Sequence, residues 1–240
     1  MSIQRNVRTL VMALAFSGFA GLAGAQEFRS AASAEPRLEG LRPKDHEGLE
    51  ASLSVQGRCS ILSGVVDPFI GVNFGNLFGA GLGVVVEADL LGPVGPDWQL
   101  GAYLSAGWDH YEGTGFTDVV GDTLTPDRMD LVSIFVGMRA VLDLGNHFRW
   151  ESHVGLGGTH NAAVNGVLVT GGVPTPMVVF GASTQFAVDL GTRLLFDVGS
   201  VFFDVGLGLR TQMAPANGGF VFLSEDMTSF AIEFGVGIRF

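Results

Sequence analysis

The sequence predicts an all-β fold, an eight-stranded antiparallel up-and-down transmembrane β-barrel over residues 49–240. Three observations predict it. Apolar residues recur at every second position in eight separate segments, short and long connections alternate between them, and no Asp, Glu, Lys or Arg falls on the apolar parity of any segment except Asp130 at the very start of the fourth. Strict alternation gives a strand one apolar face and one polar or crowded face. A charge facing lipid near mid-bilayer costs about 2–4 kcal/mol, so lipid on the apolar side explains the missing charges.

The segments follow in order. Residues 49–61 point Leu49, Ala51, Leu53, Val55, Cys59 and Ile61 one way and Glu50, Ser52, Ser54, Gln56, Arg58 and Ser60 the other. Residues 79–91 carry Leu82, Val84, Val86 and Leu90 on the apolar face, and 98–111 carry Trp98, Leu100, Leu104 and Trp108. Residues 130–144 show Val132, Ile134, Val136, Met138 and Leu142; 147–159 show Phe148, Trp150, Val154 and Leu156, with Ser152 a weak point. The sixth segment keeps parity from Val178 through Phe180, Phe186 and Leu190 to Phe196, long enough to project from a bilayer. Residues 201–210 switch parity to Val201, Phe203, Val205, Leu207 and Leu209. The eighth segment, 230–240, places Phe, Ile or Val at every even position.

The links Gly92–Asp97, Gly145-Asn146 and Val198-Gly199-Ser200 are short and turn-rich, whereas the other four are far longer. Membrane barrels have short turns on one side and longer loops on the other, and a soluble sandwich has no reason to sort its loops this way. The aromatics provide a ruler. Trp98 to Trp108 and Phe230 to Phe240 are each ten residues apart. Ten residues at a tilt near 45° span about 23 Å, close to the ~25 Å apolar band between two aromatic girdles. Trp98, Phe148, Trp150, Phe203 and Phe240 are expected in the inner girdle, and Trp108 and Phe230 in the outer one.

The final strand, with Phe234, Val236, Ile238 and the terminal Phe240, resembles the terminal strand of Gram-negative outer-membrane β-barrels. In that family the last Phe and the alternate apolar residues before it are read by the barrel assembly machinery, and the resemblance implies the same role here. The front of the sequence agrees. Arg5 and Arg8 precede the apolar run Leu10–Phe16, and Ala23-Gly24-Ala25 supplies a small-residue cleavage site, the pattern of a secretory signal over residues 1–25. Residues 26–48 lack a period and read as a flexible periplasmic lead-in. Residues 49–240 are similar to the small OmpA/OmpX-type eight-stranded barrels. That resemblance implies an outer-membrane location, with lipid and lipopolysaccharide around the barrel.

Composition excludes several functions. Cleavage after residue 25 would remove Arg5 and Arg8 and take the net charge from −11 to −13, which leaves no electrostatic footprint for nucleic acid. The single Cys59 has no disulfide partner, and no Cys/His cluster has metal-ligand spacing. No metal or other cofactor is expected.

The inward parity holds Arg58, Arg139, Arg149, Arg193, Arg210 and Arg239 against Glu87, Asp89, Asp143, Glu151, Asp189, Asp204 and Glu233. Eight strands leave an interior that side chains can fill, and buried charges must pair, so a packed ionic network is expected rather than a wide pore. His110 and His160, with Glu112, Ser183 and Ser105, form a candidate catalytic set, because outer-membrane lipid A deacylases of similar size use Ser, His and Glu. That family's His-x-Ser-Asn pattern is missing, the nearest text being Thr159-His160-Asn161. No catalytic residues are assigned.

Segments 112–128 and 160–177 read as solvated loops. The 62–78 connection, with Val65, Val66, Phe69, Ile70, Phe74, Leu77 and Phe78, is apolar enough to lie on the bilayer, fold over the barrel mouth or meet a partner. The leading expectation is a non-enzymatic outer-membrane protein whose loops serve surface interaction, adhesion to an extracellular ligand or envelope integrity. A narrow channel or small-solute carrier comes second, and a lipid-modifying enzyme third.

Overall fold

A computed structural model describes residues 48–67, 72–118, 120–213 and 226–240. The expected secretory signal, almost all of the lead-in, and Phe69 and Ile70 lie outside the described residues. Among these residues fourteen strands and one short helix run β1 Glu50–Ser63, β2 Val65–Asp67, β3 Val72–Asn73, α1 Phe74–Leu77, β4 Gly81–Pro93, β5 Trp98–Tyr111, β6 Phe116–Thr117 and β7 Thr123–Pro126. They continue with β8 Met129–Gly145, β9 Phe148–Asn161, β10 Val164–Thr170, β11 Val173–Phe180, β12 Ser183–Val198, β13 Val201–Gln212 and β14 Met227–Arg239. The eight long strands close into one antiparallel barrel in the order β1-β14-β13-β12-β9-β8-β5-β4. Closure is made by β1 against β14, from Ser52↔Arg239 to Ser63↔Thr228.

Alternation along these strands decides which solvent each face meets. Outward residues such as Leu82, Val136, Met138, Phe186, Leu207 and Phe234 are exposed, while their inward neighbours are buried. A continuous apolar exterior around a polar interior inverts the pattern of a soluble barrel and fits the hydrocarbon of a bilayer. No helix among the described residues is long and apolar enough to cross a membrane; the crossing elements are strands.

The short links are tight turns. Gly145 pairs with Phe148, and the two central residues, Asn146 and His147, both take positive φ (52° and 70°). That is the geometry of a type I′ turn, whose twist matches the strands it joins. At the opposite end the links grow into a second structure. β11-β10-β7-β6 form a four-stranded sheet and β2-β3 a two-stranded one. The segments 112–128 and 160–177 are therefore not plain solvated loops. The continuous sixth strand expected from Val178 is likewise replaced by two elements. β11 ends at Phe180 and β12 starts at Ser183, because Val179 and Phe180 are drawn into an apolar core above the barrel.

Inside the barrel, Tyr103 lies level with Gly137 and Gly155, its register partners on β8 and β9. A Cβ at Gly155 would run into the Tyr103 hydroxyl, and one at Gly137 into the same ring. That hydroxyl is buried without a hydrogen-bond partner among the described residues. Gly155→Ala is expected to destabilise the barrel by about 1–3 kcal/mol through overpacking. Tyr103→Phe should be near neutral alone and restore part of the loss in the double variant, both read as shifts in urea midpoint.

The sorted links also predict topology. In a Cys59→Ser background, cysteine at Asp122 or Asn165 should react with an impermeant reagent on whole cells, while cysteine at Asn146 should not. Asn217, in the last long link, lies outside the described residues.

Candidate functional site

The interior is filled by three tiers of charge. At the end nearest the short turns, Arg149 and Arg239 alternate with Glu50 and Asp197. Arg149 Nη1 donates to Glu50 (3.1 Å) and Gln99 (3.2 Å), its Nε lies 2.9 Å from Asp197, and Arg239 bridges the same two acids at 2.9 and 2.8 Å. In the middle tier Arg139 reaches Glu87 (2.6 Å), Asp89 (2.6 Å) and Glu151 (3.2 Å). Arg193 grips Glu87 with both terminal nitrogens (2.5 and 2.8 Å) and Glu233 at 3.1 Å. In the outer tier Arg58 joins Glu233 (3.0 Å) to Asp109 (3.4 Å), and Arg210 joins Asp109 (3.0 Å) to Asp189 (3.2 Å). His153 adds a contact to Asp189 at 3.3 Å.

These positions follow from inward parity and from side-chain length. Arginines cross the lumen to acids on distant strands, as Arg193 on β12 does to Glu87 on β4. Three guanidinium planes also lie over aromatic rings: Arg139 over Tyr103, Arg210 over Phe135 and Arg239 over Phe202, at 4.5–4.9 Å. Such stacking suits Arg and not Lys.

Twelve of the thirteen charges expected in the lumen face it. Asp143 keeps the same parity, opposite Arg149, but lies at the rim just before the register slips between Asp143 and Gly145; it is exposed, its Oδ1 accepting from the Gly145 N–H at 2.7 Å. A bulge at the turn ends the alternation there. Four inward groups join the network beyond those expected, Glu50, Asp109, Asp197 and His153, and each lies on inward parity, the signal that could have found it. Asp204 is inward but differs from the rest in having no ion-pair or hydrogen-bond partner among the described residues. Nine carboxylates (Glu50, Glu87, Asp89, Asp109, Glu151, Asp189, Asp197, Asp204 and Glu233) thus face six guanidinium groups.

Above the charges the lumen turns apolar. Ser60 and Tyr111 share a hydrogen bond of 2.8 Å, and Leu62, Leu131, Met129 and Met227 line the inner faces of the strand ends. The described residues of the 62–78 connection fold over this mouth. Val66, Val72, Phe74, Leu77 and Phe78 are buried in one core with Leu124, Val164, Val179 and Phe180. Phe180 stacks on Phe74 at 5.6 Å and meets Phe78 at 6.3 Å. Of the three placements open from sequence, the described residues take the one over the mouth.

On the outside, Trp98, Trp108, Phe148, Trp150, Phe203, Phe230 and Phe240 sit on outward positions. Phe196 packs against Phe148 at 5.2 Å and pairs in register with Phe203. Trp150 donates its indole N–H to Thr192 at 2.6 Å, so its ring is pinned at a partly polar spot on the outer surface. Phe234, Val236, Ile238 and Phe240 face outward on β14, and the Phe240 amide donates to the Ala51 carbonyl at 2.9 Å.

The candidate catalytic set does not gather at one point. Ser105 is buried in the lumen, and the Ser183 hydroxyl donates to Asn161 Oδ1 at 2.9 Å. His160 Nδ1 pairs with Thr184 at 2.9 Å. His110 is held between Asp130 (2.8 Å) and Glu112 (3.0 Å). Carboxylates at both ring nitrogens suit an imidazolium, which donates from each. With Arg128 and Trp108 this cluster lines a shallow hollow at the outer rim. Among the described residues no group of three or more His, Cys, Asp or Glu side chains could hold a metal ion.

No protein-family model matches the sequence, and no curated protein matches it. Solved structures do. The attachment invasion locus protein Ail of Yersinia pestis is 14% identical, with 80% of this chain and 99% of that one covered and a TM-score of 0.43. Neisserial surface protein A is 13% identical over 81% and 100%, with a TM-score of 0.47. The outer membrane enzyme PagL is 12% identical over 76% and 97%, with a TM-score of 0.46. These are outer-membrane barrels, and the likeness is one of fold. No function follows from it.

Proposed function

We propose that this chain is a non-enzymatic protein of the bacterial outer membrane that acts through its folded outer loops, in surface contact or in envelope integrity, and not by conducting solutes. The observation that carries this reading is the double closure of the lumen. Three tiers of paired charges fill the bore, and an apolar core of loop residues covers the mouth. A conducting barrel needs a continuous water path between polar walls. What the molecule offers beyond its membrane band is the ordered sheet β11-β10-β7-β6. Among the described residues that sheet has two edges: β11, which carries Pro174 and Pro176, and β6, which is only two residues long; proline lacks an N–H, and both devices discourage a further strand from pairing there. Contact is therefore expected through side chains of the sheet and its turns, and not by strand addition.

The test has two arms. In planar bilayers the purified protein should give no steady conductance, only brief small openings. In pull-downs from envelope or host-surface extracts the intact barrel should retain a partner that a variant with residues 164–180 replaced by a short Gly/Ser turn loses. Stable ion-selective current would move the channel reading to first place. A change in lipid A mass on deleting the gene would instead favour the lipid-modifying reading.

A further inference from the structure

We infer that the barrel interior binds a small hard cation, held by the carboxylate of Asp204 with the side-chain carbonyl of Gln56. Asp204 enters the lumen from β13 directly opposite Gly235 of β14 and is 7% exposed. Among the described residues neither of its oxygens has a hydrogen-bond partner. Arg193, which acts on it at longer range, is already engaged by Glu87 and Glu233, and Glu151, Glu87 and Glu233 add like charge around it.

Gln56, 1% exposed, donates its amide N–H groups to Glu87 at 3.1 Å and Ser54 at 3.5 Å, which leaves its Oε1 without a donor. The two side chains close over the same glycine. A Cβ built on Gly235 would run into Asp204 Oδ2 and into Gln56 Cγ. Asp204 Oδ2 and the stem of Gln56 therefore meet at one place in the lumen, and each side chain ends in oxygen that no donor satisfies among the described residues.

Charge points the same way. Nine inward carboxylates face six guanidinium groups, so the interior stays negative even with His153 protonated. A buried carboxylate is not left unpaired at low dielectric. The available set, one carboxylate and one amide carbonyl, is the oxygen chemistry that hard cations prefer over soft ones. Protonation of Asp204 is the competing solution, but one proton donated to Gln56 would leave the second carboxyl oxygen unpartnered.

The full chain can be folded into detergent from a chelator-treated stock in sodium, magnesium or calcium chloride, or in choline chloride at matched ionic strength. One metal salt should raise the unfolding midpoint by a few degrees over choline. Because the lumen is closed, that metal should also remain with the protein through gel filtration. Asp204→Asn, isosteric and uncharged, should abolish both effects, Gln56→Met should weaken them, and Asp122→Asn on the outer loops should leave them intact. Should Asp204→Asn fail to fold, the metal content of the unmodified protein decides alone. Equal midpoints in all four salts with no retained metal would overturn the proposal. So would an infrared carboxylic-acid band that Asp204→Asn removes, since that band would place a proton where the cation is assigned.

Discussion

Replacing Arg193 with alanine is expected to lower the unfolding free energy by about 3–5 kcal/mol, the cost of stranding buried partners of an ion pair. No other arginine of the middle tier ties as many strands. From β12 it holds Glu87 on β4, Glu233 on β14 and, at 3.4 Å, Glu151 on β9. Without it Glu87 keeps Arg139 at 2.6 Å and Glu233 keeps Arg58 at 3.0 Å, so each acid loses part of its compensation, not all. Water admitted into the vacated space would bring the loss toward the lower figure.

The measurement is a urea titration of the folded barrel. Arg128→Ala on the exposed rim, where the nearest acid is Asp130 at 3.5 Å, serves as the control and should stay within about 0.5 kcal/mol of the parent. Adding Glu87→Gln to Arg193→Ala should recover part of the loss, because it removes one of the stranded charges; the coupling expected for such neighbours is about 0.5–3 kcal/mol. Equal effects of the rim and core variants would mean that the lumen is wet enough to screen its charges.

Most of the barrel was legible because membrane strands obey a period that only local geometry imposes. Once Trp98 and Trp108 are outward, Gln99, Tyr103, Ser105 and Asp109 must be inward, and β5 places them so. The same rule yields the lumen charges one strand at a time. It also holds for Glu50, Asp109, Asp197 and His153, all of which are buried on inward positions. Asp143 keeps inward parity, opposite Arg149, but it is the last residue before the register slips into the turn, and at that rim it meets solvent and not the packed lumen.

Pairing is a different matter. Parity says that Arg193 and Glu87 both point inward, but 106 residues separate them, and which guanidinium finds which carboxylate depends on shear and side-chain reach. The loop core was illegible for the same reason. Phe74 lies on a four-residue helix, capped by Asn73 and Asn76 accepting reciprocal backbone hydrogen bonds, and Phe180 ends a strand that period alone had merged with β12. Neither shows a periodic signal that names its partner. The apolar excess at 62–78 signalled a buried contact, and tertiary structure alone decides with what.

Phe180→Ala is expected to loosen the cap without unfolding the barrel. The ring is fully buried, stacked on Phe74 and tilted against Phe78, and truncating a buried Phe costs about 3–5 kcal/mol where the site cannot collapse. That loss should fall on the outer assembly. Among the described residues β11 pairs only with β10, and β10 with β11 and β7, so the sheet is held to the barrel through the shared apolar core and its strand ends rather than through the barrel's own ladder. Structures joined in this way can open locally at less than the global unfolding free energy. Limited proteolysis should therefore cut residues 112–128 and 164–180 much faster in the variant, while the heat-modified gel shift and urea midpoint of the barrel stay near the parent values. Phe180→Leu, which keeps most of the apolar volume, should fall between the two. Conductance should remain absent in both variants, because the charge tiers below the cap are untouched. If removing the ring instead lowers the barrel midpoint by the full amount, cap and barrel unfold as one cooperative unit. If it opens a steady current, closure rests on the apolar core and not on the ion pairs beneath it.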